Sequence, residues 1–253
     1  MKDLAPEIIE NVNRVFKEAF NDDPRIAKLL KKGKETSYAD AYKYAEQVGA
    51  IRAKSFKQLS SSTLPDGKMY YNIAERLIDE TLVPDQKMIS DYAATAQTNV
   101  NRNSNIHLKG VKPDVDQDNI DSIINKLCSS DDFDAVAWIL DEPIKTFALA
   151  VVDDTIKKNA EFQTEAGLRT TITRTAESKC CPWCLDLAGT YTYPDVPKDV
   201  FARHDNCRCT LDYGVKRLAA YMHNGKAHSF RDPDAVDKRR TYAEEKTRQI
   251  RRR

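Results

Sequence analysis

Thirty consecutive residues, Cys180 to Cys209, hold five of the chain's six cysteines and one of its four histidines. They fall in two tight groups: Cys180-Cys181-Pro182-Trp183-Cys184 and, nineteen residues further on, His204-Asp205-Asn206-Cys207-Arg208-Cys209. Dispersed sulfurs behave as small core hydrophobes, and evenly paired ones make a disulfide framework. One Cys-x-x-Cys and one His-x-x-Cys-x-Cys have instead the spacing of a metal site. A Cys-x-x-Cys turn points two thiolates at one centre, and a second cluster about twenty residues later closes a tetrahedron, which favours zinc. Cys181 and Cys184 are the firmest ligands, since Cys180 reaches Cys184 only across three intervening residues. His204, Cys207 and Cys209 compete for the other two places. If Cys207-Arg208-Cys209 is extended, alternation puts both sulfurs on one face. If the chain turns there, His204 and one cysteine close the site. Spacing leaves both open.

Other readings of the same residues are weaker. Two disulfides would need an oxidising compartment, and no secretory leader is visible at the start of the chain. A redox dithiol would place Cys-Pro-Trp-Cys at a strand-to-helix junction of an early βαβ unit, and none precedes it. The nucleobase deaminases put His-x-Glu before Pro-Cys-x-x-Cys; here the order is reversed and no His-x-Glu exists. Metalloprotease His-Glu-x-x-His is also missing. Soft ligands suffice to fill the coordination sphere, so the expectation is a closed structural zinc at Cys181, Cys184, His204, Cys207 and Cys209, with no catalytic residue assigned.

The run Arg174 … Cys181-Pro182-Trp183-Cys184 … Leu187-Ala188-Gly189 … Arg203-His204-Asp205-Asn206-Cys207-Arg208-Cys209 resembles the C-terminal signature of the MuF-type phage minor head (head-morphogenesis) proteins. The match covers roughly residues 167–213. The resemblance implies a minor capsid protein, not an enzyme, made in the bacterial host cytoplasm. Its expected place is the virion, inside the capsid at the portal vertex, with the portal or the major capsid protein as partner. The chain departs from the family pattern in the doubled Cys180-Cys181 and in Asp205, where the family often has proline.

The remainder reads as helix. Charged residues make up 31% and hydrophobic ones 41%, with few Gly and Pro, a soluble, helix-rich profile. The net charge of +1 gives no global argument for nucleic acid. No apolar run is long enough to span a membrane, so no membrane partner is expected. Ile8, Ile9, Val12, Val15, Phe16 and Phe20 set one helical stripe, and Ile26, Leu29 and Leu30 after Pro24 a second. Ser37-Tyr38-Ala39-Asp40 has the form of a capping box opening a third helix. Further helices are predicted at about 69–82 and 85–102, then a polar loop or linker to 116, then two or three helices over 117–160.

From Leu168 the period changes. Leu168–Arg174 alternates and is β-branched, and 190–193 and 207–213 are further strand candidates. A module this poor in apolar residues needs a metal to hold it. The expected architecture is mainly α with a small zinc-stapled β-module (α+β): a helical domain over 1–165, the module over 166–214 and a charged tail over 215–253. Leu218–Met222 reads as helix. Arg239-Arg240 and Arg251-Arg252-Arg253 make the tail's end basic, either a solvated helix or a contact with packaged DNA or an acidic portal surface. The alternative function is an HNH-like nuclease, because His204 and Asn206 lie beside the knuckle. That chemistry needs a general-base histidine free of zinc, and the module has no second histidine.

Overall fold

The computed structural model describes residues 3–178, 180–217, 221–223 and 226–228. Residues 1–216 make one compact unit and 217–253 a second. The helices are α1 (Ala5–Asp22), α2 (Pro24–Leu30), α3 (Tyr38–Phe56), α4 (Tyr71–Asn103), α5 (Gln117–Leu127), α6 (Glu142–Glu165) and the single turn α7 (Pro182–Asp186). Strands β1 (Leu168–Thr175), β2 (Gly189–Thr192) and β3 (Thr210–Arg217) form one sheet in the order β2-β1-β3. The chain is thus mainly α with a small sheet, as its periodicities predict.

Local chemistry accounts for the helix ends. Asp23 caps α2 by accepting from the Arg25 and Ile26 N–H groups, with Pro24 at the first helical position, where a missing N–H is harmless. Ser37 and Asp40 cap α3 reciprocally, as predicted. Between α3 and α6 the helices approach so closely that a Cβ on Gly49 would lie 2.9 Å from the Ala148 Cβ.

Two helices expected at 69–82 and 85–102 are one, α4, with Pro84 inside it. Proline removes one backbone hydrogen bond and crowds the preceding turn, a loss of about 3 kcal/mol in a helix interior. Burial on both sides of it offsets the loss: Leu77, Ile78 and Leu82 before, Ile89, Ala93 and Ala96 after, all in the same core. At the proline itself, Asp85 holds Arg52 of α3 in a buried two-pronged ion pair at 2.6 and 2.8 Å.

The polar stretch after α4 has no helix or strand from 104 to 116, as expected of a loop, and side chains pin it to the helices. Asn159 of α6 brackets Val111, accepting from its N–H at 2.9 Å and donating to its carbonyl at 2.8 Å. Gln86 donates to the Asp114 carbonyl, and Asn101 to the Leu108 carbonyl. Buried side chains then connect helices to sheet in one chain of bonds. Tyr38 donates to Gln97, Gln97 and Gln163 both donate to Asn101, and Tyr213 of β3 donates to Gln163.

The sheet packs into the same core as the helices. Ile172, Val200, Leu211, Tyr213 and Val215 are buried members of it. Strand β1 pairs antiparallel with β2 in the register Ile172↔Tyr191. The third strand begins at Thr210, so Cys207–Cys209 precede it instead of opening it.

In the second unit, β4 (Tyr221–His223) pairs antiparallel with β5 (Lys226–His228). The helix predicted at 218–222 therefore fails at Tyr221 and Met222. The register includes Tyr221↔His228 and His223↔Lys226. The rest of the expected tail, including the basic run at 238–253 proposed for DNA, lies outside the described residues. Among the described residues no helix is long and apolar enough to cross a membrane.

Candidate metal centre

The Cys-Pro-Trp-Cys segment folds as α7, with Cys181 at its N-cap and Pro182 at its first position. The Leu185 N–H reaches the Cys181 carbonyl at 3.2 Å, and this one turn brings the two sulfurs to the same side. The second cluster turns as well. The Cys207 N–H donates to the His204 carbonyl at 3.2 Å, and Asn206 takes a left-handed φ of 61°, a conformation Asn tolerates.

All five expected donors converge. Cys181, Cys184 and His204 form one group and Cys184, Cys207 and Cys209 another, the donor atoms of each lying within 4.8 Å of one another. Cys184, common to both, lies 3.1 Å from the His204 Nε2 and 3.7 Å from the Cys207 sulfur. Cys181 lies 3.3 Å from the same Nε2. Tetrahedral zinc with ordinary Zn–S and Zn–N bonds has S···S and S···N edges of about 3.8 and 3.6 Å, and each observed separation falls within about half an ångström of these. The residues could hold a metal ion. Turn and convergence coexist here, so the choice posed by the spacing of His204, Cys207 and Cys209 does not arise as a choice between shapes.

The surroundings prepare the donors. His204 Nδ1 lies 2.6 Å from the Asp205 carbonyl and donates to it, which leaves Nε2 with its lone pair toward the sulfurs. Cys184, Cys207 and Cys209 are buried together. Burial, reinforced by the neighbouring Cys209 and Cys207 thiols and opposed by Arg174, pushes Cys184 up to about 12. A buried group of thiols resists ionising together unless a cation compensates, and a bound divalent ion supplies that charge. Trp183 covers one side, its ring edge-on to the His204 ring at 5.6 Å.

Three arginines attach the cluster to its surroundings. Arg203 donates to the Cys209 carbonyl at 2.8 Å and the Cys207 carbonyl at 3.2 Å, and forms a buried ion pair with Asp153 of α6. Asp153 also accepts from the Tyr42 hydroxyl at 2.5 Å, and that hydroxyl accepts from the Leu211 N–H at 3.0 Å. Arg208 reaches Glu142 of α6 at 2.8 Å. Arg174 of β1 donates to the Val200 and Ala202 carbonyls and faces two of the sulfurs.

Cys180 belongs to neither donor group, although it packs against the cluster. Cys128, at the C-cap of α5, is half-buried against the helical core, and His107 is exposed. The residues that sequence reasoning did not assign are Asp153, Tyr42 and Glu142. Among known proteins, no family, no curated protein and no solved structure matches the chain.

Proposed function

We propose that the chain is a minor capsid protein of a tailed phage or prophage, packed inside the head at the portal, with a structural zinc at the 181–209 cluster. The observation that carries this reading is the ordered set Cys181, Cys184, His204, Cys207 and Cys209, in the spacing of the MuF-type signature, brought together as two donor groups that share Cys184. Zinc is the ion that thiolate and imidazole donors in tetrahedral spacing favour. Five donors for four positions leave no need for water, which makes the centre a staple. With His204 engaged at both ring nitrogens, it lacks the freedom a nuclease's general base requires. The mechanism is assembly: helices present contact surfaces, and the metal fixes the loop that joins the sheet to them.

The test is mass spectrometry of purified particles of the source phage, combined with zinc quantification on the recombinant chain. The expected result is the protein in DNA-filled heads at low copy number, with about one zinc per chain, as one tetrahedral site requires. Zinc bound but no trace in particles would overturn the capsid role and move a divalent-metal nuclease assay to the front. No zinc would overturn the staple.

A further inference from the structure

Arg174 is buried more deeply and bonded more widely than a clamp on the neighbouring segment requires. Its Nη1 donates to the Val200 and Ala202 carbonyls at 2.5 and 3.0 Å, and that alone would hold residues 200–202. Its Nη2 points the other way, 3.9 Å from the sulfurs of both Cys184 and Cys207. The Trp183 ring lies over the guanidinium, its centroid 5.5 Å from Cζ, and the residue is only 3% exposed. Its Nε is buried without a hydrogen-bond partner. A guanidinium is always charged, so a full positive charge sits against the donor cluster.

The charge balance gives this placement a purpose. A divalent ion held by three thiolates and one neutral imidazole leaves one net negative charge, and by four thiolates two. Such an excess is unfavourable in a buried site without a counter-charge. Among the described residues, the cation that donates to the sulfurs is Arg174. Cys184, one of its two partners, belongs to both donor groups, so the contact matters whichever four donors close around the ion.

We infer that Arg174 is a charge-compensating member of the metal centre: with the ion bound, its Nη2–H groups donate to the Cys184 and Cys207 sulfurs and quench their nucleophilicity. The inference rests on the metal-site reading above. Donation to a metal-bound thiolate withdraws electron density from sulfur, weakening its attack on electrophiles and tuning its bond to the metal. The centre is thereby kept an inert staple and not a reactive thiolate.

The experiment uses the full chain loaded with an NMR-active cadmium isotope, then with cobalt and with zinc. In the wild-type protein, the Arg174 guanidinium protons should correlate with the cadmium nucleus across the N–H···S–Cd path. Arg174→Gln should bind metal about 10–100-fold more weakly, the usual effect of losing an outer-shell partner. At saturating metal and with unchanged far-UV circular dichroism, its sulfur-to-cobalt charge-transfer band should move to lower energy. Iodoacetamide should alkylate Cys184 and Cys207 of the zinc-loaded variant faster, and Arg174→Lys, which keeps the charge, should reverse part of that. Wild-type cobalt spectrum and alkylation rate in Arg174→Gln would overturn the inference and leave Arg174 a clamp on 200–202. If the glutamine variant does not fold, the wild-type cadmium correlation decides, and its absence overturns the inference. A wild-type chain that takes up none of the three metals would overturn the metal-site reading itself.

Discussion

Replacing Arg203 by methionine removes the guanidinium while keeping most of the side chain's bulk. Asp153, with its side chain 1% exposed, then retains the Tyr42 hydroxyl as its described donor, and the Cys209 carbonyl loses its bond to Arg203. Breaking a buried ion pair by removing one partner costs about 3–5 kcal/mol, and the lost carbonyl bonds add about 1 kcal/mol more. Against a total stability of roughly 5–15 kcal/mol, Arg203→Met should lose about 4–6. Arg203→Met combined with Asp153→Leu removes both charges, so the double variant should be more stable than Arg203→Met alone, with a coupling of about 2–4 kcal/mol. The assay is urea unfolding of the cobalt-loaded chain, followed at once by circular dichroism for the helices and by cobalt absorption for the centre. In the wild type the two curves should coincide, because Arg203 ties the metal loop to α6. In Arg203→Met the cobalt signal should disappear at lower urea than the helical signal. A loss under about 1 kcal/mol with coincident curves would refute the coupling, since the effect would be no larger than that of an ordinary surface substitution.

Two further outcomes follow from particular geometries. A Cβ at Gly110 would lie 2.3 Å from the Ala94 carbonyl oxygen of α4, so Gly110→Ala should destabilise by about 1–3 kcal/mol in thermal or urea unfolding, as overpacking does; an unchanged midpoint would mean that the 104–116 segment is not pinned as described. Asp154 is raised from 3.8 to about 7 by burial, with the charges of Asp153 and Asp116 adding to it. Its folded pKa lies above the unfolded value, so the carboxyl is neutral in both states below the lower value. Between the two values the unfolded state ionises first, and stability falls as pH rises, the loss being complete above the folded value. Asp154→Asn should thus leave stability at pH ~4 nearly unchanged and raise it at pH ~8 by about 2–4 kcal/mol, discounted for partial exposure. Equal stabilities of variant and wild type at the higher pH would refute this.

How much of this was legible depends on where each determinant lies in the chain. The capping of α3 by Ser37 and Asp40, and the stripe of Ile8, Ile9, Val12 and Phe16, are local patterns, and reading them needs no knowledge of the fold. Pro84 misled because its local penalty is outweighed by burial against distant elements and by the Arg52–Asp85 pair, which joins residues 33 apart. Gln86, Gln97, Asn101, Asn159 and Gln163 are buried, yet they read as polar helix surface because their partners lie on other helices or on the 104–116 segment. The pairing of 221–223 with 226–228 replaced the helix suggested by the apolar run Leu218–Met222 at Tyr221 and Met222. At the centre, clustering sufficed to single out the five residues whose side chains come together in two groups that could hold an ion. Nothing local to Asp153 or Tyr42 marks them as its supports.

The spacing on α6 explains why the donor loop is fixed by more than its own turn. Glu142 and Asp153 are eleven residues apart, three helical turns, so they share one stripe of α6, about 16 Å long. Arg208 takes the first and Arg203 the second. Leu149, seven residues after Glu142 and close to the same stripe, lines the cavity beside Arg208 and Cys209. The loop from Arg203 to Cys209 is therefore attached to α6 at two points while its donors meet Cys181 and Cys184 at a third. A bound ion would restrict the same few residues as the two ion pairs, so each would lower the ordering entropy the others must overcome. The free energy of binding an ion there would then become stability of the helical body as well as of the sheet. Such a linkage is absent where a zinc knuckle hangs from a flexible linker, and it is why the metal's removal should be felt in the helices.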